Sequence, residues 1–496
     1  MEKNYQGYVV YSNNQSKELP IGIVSNSYEI NAKTNYIPKY LKEYLIQIED
    51  RKFYNHSGID YKSVLRAIVE NLKAGKIVQG GSSITQQLAR NLLRDNSRTL
   101  LRKIQEAYKT HQLEKRYSKD EILELYFNNV YFGKNLRGIR SAGLYYFKKE
   151  PHQLSHIEFL ALLTILRGPN YYTNHPDKAT SRFKMINNKL LENNQISKKR
   201  FQKNSKVKLE FNRNPLPSIN TKVIPFIFSR EGESQKIIRS TIDIEQQAFA
   251  NNFIKSSKYP VSIIAIKSKK VIAFASTYGG DYPFISKTNV GSTLKPFLYC
   301  HLLDSGISPV EMFNAHTNDL DWHVREVGYF GSKLNLDEAL FHSNNNAFLN
   351  ACEKSGMQAS LQFLSEVLRK DLQLFYHSSI LGAVRSGISL YELAIAYSDF
   401  FDSDKLTNSK IECLKILNKL AKDKLELEIQ DAFLKTGTTN NNEERIAVIK
   451  KADITYAILR NENPINDDSK DGGFLKNIAK TFKSIFIKPK RNYKWS

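Results

Sequence analysis

A stretch that begins at Gly80, GGSSITQQLARNLLRDNSRTLLRK, carries two glycines, several hydroxyls, two glutamines and four arginines. These residues supply backbone N–H, amide and guanidinium groups, all of which donate hydrogen bonds to anions. The stretch is not a phosphate-binding P-loop, because it lacks a G-x-x-x-x-G-K-[ST]. It therefore predicts an anion site of another kind and leaves open which anion is bound.

Carboxylates lie on both sides of this stretch. Glu49 and Asp50 stand upstream in IEDRKFYNHSGID, and Glu106 follows in a helix predicted to start at Arg98. One face of that helix is apolar, comprising Leu100, Leu101, Ile104, Ala107 and Tyr108. Arg98, Arg102 and Glu106 recur on the opposite face. Taken alone, the pattern favours an ordinary surface helix with i, i+4 ion pairs.

The segment from about residue 36 to 187 resembles the peptidoglycan glycosyltransferases of family 51. Five motifs carry the resemblance in order, namely IEDRKFYNHSGID, GGSSITQQLAR, RKIQE, YSKDEILELYFNNVYFG and LSHIEFLALLTILRGPNYY. The resemblance implies a mostly helical, lysozyme-like fold that polymerises lipid II, a disaccharide-pentapeptide on undecaprenyl diphosphate. The anion would then be the diphosphate that leaves as the sugar is transferred.

The same resemblance implies roles for single residues. Glu49 matches the catalytic glutamate, a general base for the acceptor hydroxyl, and Glu106 matches a second one that assists the leaving group or places a divalent ion. The positions that match substrate contacts are Ser83, Gln86, Gln87, Arg90, Arg98, Arg102, Lys103 and Asn128. The resemblance allows Mg²⁺ or Mn²⁺ at Glu106 without requiring a cofactor, and no metal ligands are assigned.

A second set of residues is spaced for nucleophilic catalysis. Ser292 and Lys295 in GSTLKPF form an S-x-x-K, which puts a potential base one helical turn from a hydroxyl. The same pattern at Ser181 and Ser205 lies in polar, basic stretches, so we interpret those two copies as incidental. S-x-x-K alone is therefore weak support for a catalytic site.

Two further motifs follow the S-x-x-K. HSNNN supplies an S-x-N at Ser343 and Asn345, and LKTGTTN supplies a K-T-G that begins at Lys435. This order is shared by penicillin-binding proteins and serine β-lactamases. Because the motifs follow a glycosyltransferase-like segment, the whole chain resembles the bifunctional, class A penicillin-binding proteins.

This second resemblance implies a DD-transpeptidase. Ser292 would attack the carbonyl of the penultimate D-Ala of a stem peptide, with Lys295 as its base. Ser343 and Asn345 would move protons and hold the substrate amide. The strand that holds the donor peptide would present Lys435, Thr436, Gly437 and Thr438. β-Lactams would inhibit by trapping the serine.

The predicted fold is multi-domain. A mostly α, lysozyme-like domain precedes an α/β domain of the serine β-lactamase kind, with a central antiparallel sheet flanked by helices. The predicted boundaries are an N-terminal segment (1–35), the glycosyltransferase (36–190), a linker (191–239), the transpeptidase (240–460) and a basic tail (461–496). VSIIAIKSKKVIAFAST predicts two strands joined by a polar turn, and AVIKKADITYAILR predicts a closing strand.

Charge points to a polyanionic partner. The chain has 73 Lys and Arg against 50 Asp and Glu, a net charge of +23. Lipid-linked phosphates and anionic lipid fit this excess. Nucleic acid is excluded, because no recognition motif for it is present. The three cysteines are far apart, so they indicate neither a disulfide framework nor a zinc site.

The sequence has neither an apolar run of about 18 residues nor a signal peptide pattern. The expected location is nevertheless the outer face of the plasma membrane, where lipid II is used. One helical face of the tail is apolar, comprising Phe474, Leu475, Ile478, Phe482, Ile485 and Phe486, with Lys476, Lys480, Lys483 and Lys488 around it. This pattern favours an interfacial helix on a membrane surface or, alternatively, a helix docked on its own domain.

Three other functions remain open at this point. The same residues could serve a hydrolase, either lytic or of the DD-carboxypeptidase type. A weakly catalytic or non-catalytic cell-wall scaffold would keep the fold and bind glycan strands and partners of a cell-wall synthesis complex.

Overall fold

The computed structural model describes the chain in separate stretches. They are residues 8–13, 19–24, 37–75, 81–93, 99–134, 136–211, 219–231, 237–318, 320, 324, 326, 331–402, 404, 406–425, 432–439, 444–461, 474–475, 478–480 and 482. The chain divides into two compact units. Unit 1 comprises Met1–Thr221 and Arg230–Arg239, and unit 2 comprises Lys222–Ser229 and Ser240–Ser496.

Unit 1 is mostly helical. Its α-helices are α1 (Lys39–Glu49), α2 (Tyr61–Ala74), α3 (Ile84–Leu93), α4 (Leu100–Arg116), α5 (Lys119–Asn129), α6 (Ile139–Phe147), α7 (His156–Ile165), α8 (Pro169–Asn174), α9 (Pro176–Glu192) and α10 (Lys198–Ser205). Ser118 starts α5 with a capping box to Glu121, as its spacing predicts. Helix α7 is buried from Phe159 to Ile165, so it forms the centre of the unit's core.

Helix α4 buries the face that its sequence pattern assigns to solvent. Glu106 is 1% exposed, whereas Leu101, Ile104 and Tyr108 are 65%, 59% and 66% exposed. The ordinary surface helix that the pattern favours when taken alone is therefore not observed. A buried carboxylate requires polar partners, and an exposed apolar face marks a binding surface.

Strands from residues 8–24 and 228–240 pair in one sheet that the sequence analysis leaves unassigned. They are β1 (Tyr8–Tyr11), β2 (Pro20–Val24), β3 (Phe228–Glu231) and β4 (Ile237–Ser240), in the order β2–β1–β4–β3. β1 runs antiparallel to β2 and parallel to β4, with Val9 opposite Ile237. Two segments more than two hundred residues apart in the sequence are thus hydrogen-bonded in the same sheet.

A buried ion pair attaches this sheet to the helices. Arg140 Nε and Nη2 each donate to a different oxygen of the Glu150 carboxylate at 2.8 Å. The Tyr11 hydroxyl donates to Glu150 Oε1 at 2.6 Å. Because the Arg140 and Glu150 side chains are 1% and 4% exposed, each charge depends on the other for its solvation.

The segment 191–239, assigned to a linker from its composition, holds regular structure. Helix α10 packs on α9, where Asn204 Nδ2 donates to Asn187 Oδ1 at 2.9 Å. Leu209 and Phe211 lie in the core of unit 1. The composition of this segment is polar and basic because most of its described residues are exposed or partly exposed. The few residues that are buried did not change that average.

Unit 2 combines helices with a central sheet. Its helices are α11 (Ile224–Ile227), α12 (Ile244–Ser256), α13 (Tyr282–Ile285), α14 (Lys295–Asp304), α15 (Leu336–His342), α16 (Asn345–Ser355), α17 (Met357–Leu368), α18 (Leu390–Phe400) and α19 (Asn408–Leu425). Its strands are β5 (Val261–Lys267), β6 (Lys270–Ser276), β7 (Met312–Asn314), β8 (Lys333–Asn335), β9 (Ala432–Thr438), β10 (Glu444–Lys451) and β11 (Ile454–Asn461).

The five-stranded sheet of unit 2 has the order β6–β5–β11–β10–β9 with antiparallel neighbours, as the sequence analysis expects. Ser268 and Lys269 form the predicted turn between β5 and β6 with positive φ angles of 46° and 61°. AVIKKADITYAILR, in contrast, forms two strands, because the chain turns at Ala452 (φ 50°). β7 and β8 form a separate two-stranded sheet.

The apolar residues of the tail are buried in unit 2. Phe474, Leu475, Ile478 and Phe482 lie in the core on one face of the sheet, and the Phe482 ring is 5.2 Å from that of Tyr456. For the described residues, the interfacial-helix prediction is therefore wrong and the docked helix is right. Five residues of the tail pattern lie outside the described part of the chain, namely Lys476, Lys483, Ile485, Phe486 and Lys488.

Candidate active sites

The first candidate site is centred on Glu49, at the end of α1. Its side chain is 4% exposed, and Gln87 Nε2 on α3 donates to Glu49 Oε2 at 3.1 Å. Tyr126 on α5 donates its hydroxyl to Gln87 Oε1 at 3.0 Å, which fixes the orientation of that amide. Among the described residues, Glu49 Oε1 is buried without a hydrogen-bond partner. A carboxylate oxygen of this kind is ready to accept a proton.

Basic side chains that the sequence analysis missed surround Glu49. Arg167 Nη2 is 3.8 Å from Glu49 Oε2, and Lys189 Nζ donates to the Ile48 carbonyl at 2.8 Å. Burial and the charge of Arg51 lower the pKa of Lys189, and burial and the charge of Arg167 lower the pKa of Arg182. Burial is the larger cause of both shifts, and the neighbouring arginines add to it. The basic side chains gathered beside Glu49 suit a substrate that carries phosphate.

Asp50, the residue after Glu49, has a structural role. Its Oδ2 accepts from the backbone N–H of Ile84 at 3.0 Å, so it caps the start of α3. Both of its oxygens lie 3.0 Å from His56 Nε2. Because α3 carries Gln87, this cap also places the amide that contacts Glu49.

Ser83 and Gln86 lie at the same helix start. Gln86 N–H donates to Ser83 Oγ at 3.1 Å, and Ser83 N–H donates to Gln86 Oε1 at 3.0 Å. The Ser83 hydroxyl donates to the Gly58 carbonyl. The two side chains therefore form a capping box, whereas Arg90, further along α3, is exposed.

Glu106 lies on the buried face of α4. Its two oxygens accept from Arg102 Nη1 at 2.9 Å and from Lys103 Nζ at 3.0 Å. Two cations already neutralise this carboxylate, and the described residues bring no group of three acidic, histidine or cysteine side chains together. The residues present therefore do not fit Mg²⁺ or Mn²⁺ at Glu106. Asn128 lies on α5, and Arg98 lies outside the described residues.

The second candidate site, in unit 2, is built around the turn that carries Ser292. Residues Gly291–Leu294 form a 3-10 helix that runs directly into α14, so Ser292 and Lys295 lie one turn apart. Lys295 is fully buried. Its Nζ donates to the Ser343 carbonyl at 2.5 Å and to Asn345 Oδ1 at 2.7 Å. The S-x-x-K and S-x-N motifs, about fifty residues apart in sequence, are thus in direct contact.

The third motif meets the same serine. Lys435 Nζ on β9 donates to Ser343 Oγ at 2.8 Å, and its side chain is also buried. Burial lowers the pKa of Lys295 to about 7, and burial together with the positive charge of Lys295 lowers the pKa of Lys435 well below its usual value. A neutral lysine can accept a proton, so this cluster has a base near neutral pH.

At Gly437, β9 passes close to the turn that carries Ser292. A Cβ atom on Gly437 would lie 2.3 Å from the Val290 carbonyl oxygen and 3.2 Å from the Ser292 nitrogen. Only glycine permits this approach. Thr436 and Thr438 flank it on the same strand, so the K-T-G motif forms one wall beside Ser292.

Glu326 is a further member of this site that the sequence analysis missed. Its Oε1 accepts from the backbone N–H groups of Asn345 and Asn346 at 2.8 and 2.7 Å, at the start of α16. Its charge raises the pKa of Lys295, against the larger effect of burial. The signal was absent from the sequence, since Glu326 lies in no motif and is 31 residues from Lys295 in the chain.

Among the described residues, no helix has the length and apolar character needed to cross a bilayer.

Comparisons with known proteins find similar sequences and a similar fold. The model of the Transglycosylase family matches residues 17–191. Penicillin-binding protein 1F of Bacillus subtilis (strain 168) is 46% identical over 150 residues, which are 30% of this chain and 21% of that protein. Penicillin-binding protein 2D of the same strain is 31% identical over 370 residues, covering 64% of this chain and 53% of that protein. The chain thus spans about half or less of these two relatives.

A solved structure is similar to the chain over nearly its full length. The crystal structure of penicillin-binding protein 1A from Haemophilus influenzae superposes with a TM-score of 0.52 at 12% identity, covering 99% of this chain and 94% of that one. At this identity the likeness is one of fold.

Proposed function

We propose that the chain is a peptidoglycan synthase with two activities, a glycosyltransferase in unit 1 and a DD-transpeptidase in unit 2. The observation that carries the proposal is the convergence of three motifs on Ser343, which both Lys295 and Lys435 contact. The match of residues 17–191 to the Transglycosylase family supports the first activity. The outer face of the plasma membrane, where lipid II is used, is the proposed location.

In the proposed glycosyl transfer, Glu49 Oε1 takes the proton of the acceptor sugar hydroxyl. The oxygen of that hydroxyl attacks the anomeric carbon of the donor, and the bond from that carbon to the lipid diphosphate breaks. Arg102, Lys103 and Arg167 provide the positive charge that stabilises the departing diphosphate. Glu106 holds Arg102 and Lys103 in place, because each of its oxygens accepts from one of them.

In the proposed transpeptidation, neutral Lys295 takes the proton of Ser292 Oγ as that oxygen attacks the carbonyl of the penultimate D-Ala. The peptide bond breaks, the terminal D-Ala leaves with a proton, and an acyl-enzyme forms. An amine of a second stem peptide then attacks the ester and regenerates Ser292. The hydroxyl of Ser343, bonded to Lys435, offers a path for the proton to the leaving nitrogen.

Two assays on the purified protein test the proposal. Lipid II should be converted into glycan strands, and a fluorescent penicillin should label one site per chain. If penicillin labels the protein at no pH, the transpeptidase assignment is wrong and the scaffold function is favoured. If no polymer forms, the glycosyltransferase assignment is wrong.

We expect acylation by penicillin to speed up as the pH rises through about 7, because Lys295 must lose its proton to act as base. Glu326→Gln should move the midpoint of this rise to lower pH, since the carboxylate charge raises the pKa of Lys295. The measurement is the second-order acylation rate constant between pH 5 and pH 9.

A matched control for this shift is Glu353→Gln, an exposed carboxylate on α16, the helix that Glu326 caps. It should leave the midpoint in place. An unchanged midpoint in Glu326→Gln, or an equal shift in both variants, would contradict the assignment of Lys295 as the titrating base.

The proposed partner surface for unit 1 is an anionic lipid bilayer. One face of α2 is apolar and exposed, with Tyr61, Leu65, Val69 and Leu72 at 75%, 65%, 41% and 77%. The exposed apolar face of α4 belongs to the same unit. Lys62 and Arg66 alternate with these residues on α2, a pattern typical of helices that lie in the lipid headgroup region.

Replacing Leu65 and Leu72 together by serine should lower partitioning onto anionic liposomes by more than tenfold. Burying one leucine side chain contributes roughly 1.5–3 kcal/mol, so losing two should lower the partition coefficient by more than tenfold. The measurement is liposome co-sedimentation. Met185→Ser, at a side chain 58% exposed on α9, should bind as the unmodified chain does. Equal losses in both variants would contradict a surface on α2.

A further inference from the structure

The nucleophile turn Val290–Leu294 is held from two sides by backbone. Gly291 adopts a left-handed φ of +54°, and a Cβ atom there would lie 2.5 Å from the Thr438 carbonyl oxygen. One side of the turn is thus strand β9. The other side is the segment Ser379–Tyr397, which contains no motif used in the proposed chemistry.

Gly382 makes the closest approach from that segment. A Cβ atom on Gly382 would lie 2.1 Å from the Gly291 oxygen and 2.4 Å from its nitrogen. The Gly382 carbonyl accepts from the Val290 N–H at 3.1 Å. Gly291 therefore lies between two backbones, and neither Gly291 nor Gly382 has room for an added Cβ atom.

Tyr397 holds the residue on the other side of Ser292. Its hydroxyl donates to the Thr293 carbonyl oxygen at 2.5 Å, and the tyrosine is fully buried on α18. Thr288 and Ile388 exchange two backbone hydrogen bonds at 3.2 and 2.9 Å, which attaches the same segment to the approach of the turn. Both residues that flank Ser292 in the chain, Gly291 and Thr293, are thus contacted by the same segment, Ser379–Tyr397.

We propose that the segment Ser379–Tyr397 positions the Ser292 hydroxyl for acylation, with Gly382 and Tyr397 as positioning residues that act through the backbones of Gly291 and Thr293. The inference rests on the proposed transpeptidase. Catalytic groups must be held within about 0.5 Å of their productive place, and a misplacement of about 1 Å costs on the order of 10²-fold in rate. A clamp that touches no reacting atom can therefore control the rate.

Tyr397→Phe tests the inference by deleting one hydroxyl and keeping the ring. We expect the acylation rate constant with penicillin to fall about tenfold, while the dissociation constant of the initial complex stays within about twofold. Tyr299→Phe is the matched control, because Tyr299 is also fully buried and donates its hydroxyl to Asp337, away from the turn. It should match the loss in melting temperature and keep the acylation rate.

A glycine pair gives a second test. Gly382 and Gly306 have nearly equal φ angles of +89° and +91°, so alanine is strained at both. A Cβ atom on Gly306 meets nothing within 4 Å. Gly382→Ala should therefore slow acylation far more than Gly306→Ala at a comparable melting temperature.

Hydrogen exchange of the peptide spanning 290–297 separates this inference from the proposed function. Faster exchange there in Tyr397→Phe than in Tyr299→Phe supports the clamp, even if penicillin labels neither protein. Equal exchange and equal acylation in the two tyrosine variants would overturn the inference, while labelling of the unmodified chain would leave the transpeptidase intact.

Discussion

Glu49→Gln is expected to lose lipid II polymerisation by about 10²–10⁴-fold, the usual contribution of a general base. Glutamine keeps the size of the side chain and can still accept the hydrogen bond from Gln87 Nε2. It cannot take a proton from the acceptor hydroxyl. The loss should therefore fall on turnover, measured as glycan strands formed per minute from fluorescent lipid II.

The matched control is Glu43→Gln, at an exposed carboxylate on the same helix α1. It should polymerise at the rate of the unmodified chain, and both variants should melt at similar temperatures. Penicillin labelling should persist in both. Polymerisation by Glu49→Gln at the unmodified rate would place the base elsewhere.

The two carboxylates of this site differ in what surrounds them. Glu106 accepts from two cations, so both of its oxygens are engaged. Glu49 has one amide donor, one ion pair at 3.8 Å and one oxygen without a partner among the described residues. A base needs an available oxygen, whereas a residue that orders cations needs both oxygens engaged. These environments support the proposed role of Glu49 as the general base. They also support the proposed role of Glu106 in positioning the cations that bind the diphosphate.

Local patterns in the sequence predicted the elements that local chemistry determines. The capping box at Ser118 and the hairpin turn at Ser268 each depend on residues within one turn of chain. Motif order predicted the meeting of Lys295 with Ser343 and Lys435 only through family resemblance, because no local rule brings such distant segments together.

Features that depend on distant partners escaped prediction. The amphipathic pattern of α4 identified two faces correctly but not which one is buried, since that depends on the helices it packs against. Strand β1 has only four residues, and its pairing partner β4 lies more than two hundred residues away. Lys189 and Glu326 enter the sites through the fold, and nothing about their immediate neighbours distinguishes them from surface charges. Arg167 lies within the motif LSHIEFLALLTILRGPNYY, where the sequence analysis assigned it no role.

Ser292→Ala is expected to abolish labelling by fluorescent penicillin, because the variant lacks the oxygen that forms the acyl-enzyme. The residue is partly exposed on a turn whose backbone is fixed on both sides, so removing the hydroxyl should leave fold and melting temperature unchanged. Labelling is read on a denaturing gel, where only a covalent adduct survives.

Ser181→Ala provides the control, since SRFK repeats the S-x-x-K spacing on α9, where the Ser181 hydroxyl donates to the Asp177 carbonyl. It should label as the unmodified chain does. Comparing the two variants shows what a reactive serine requires besides the S-x-x-K spacing. A serine and a lysine three residues apart become a nucleophile and its base only when the lysine is buried and bonded, as Lys295 is to Ser343 and Asn345. Persistent labelling of Ser292→Ala would place the nucleophile at another serine and separate the lysine cluster from the reaction.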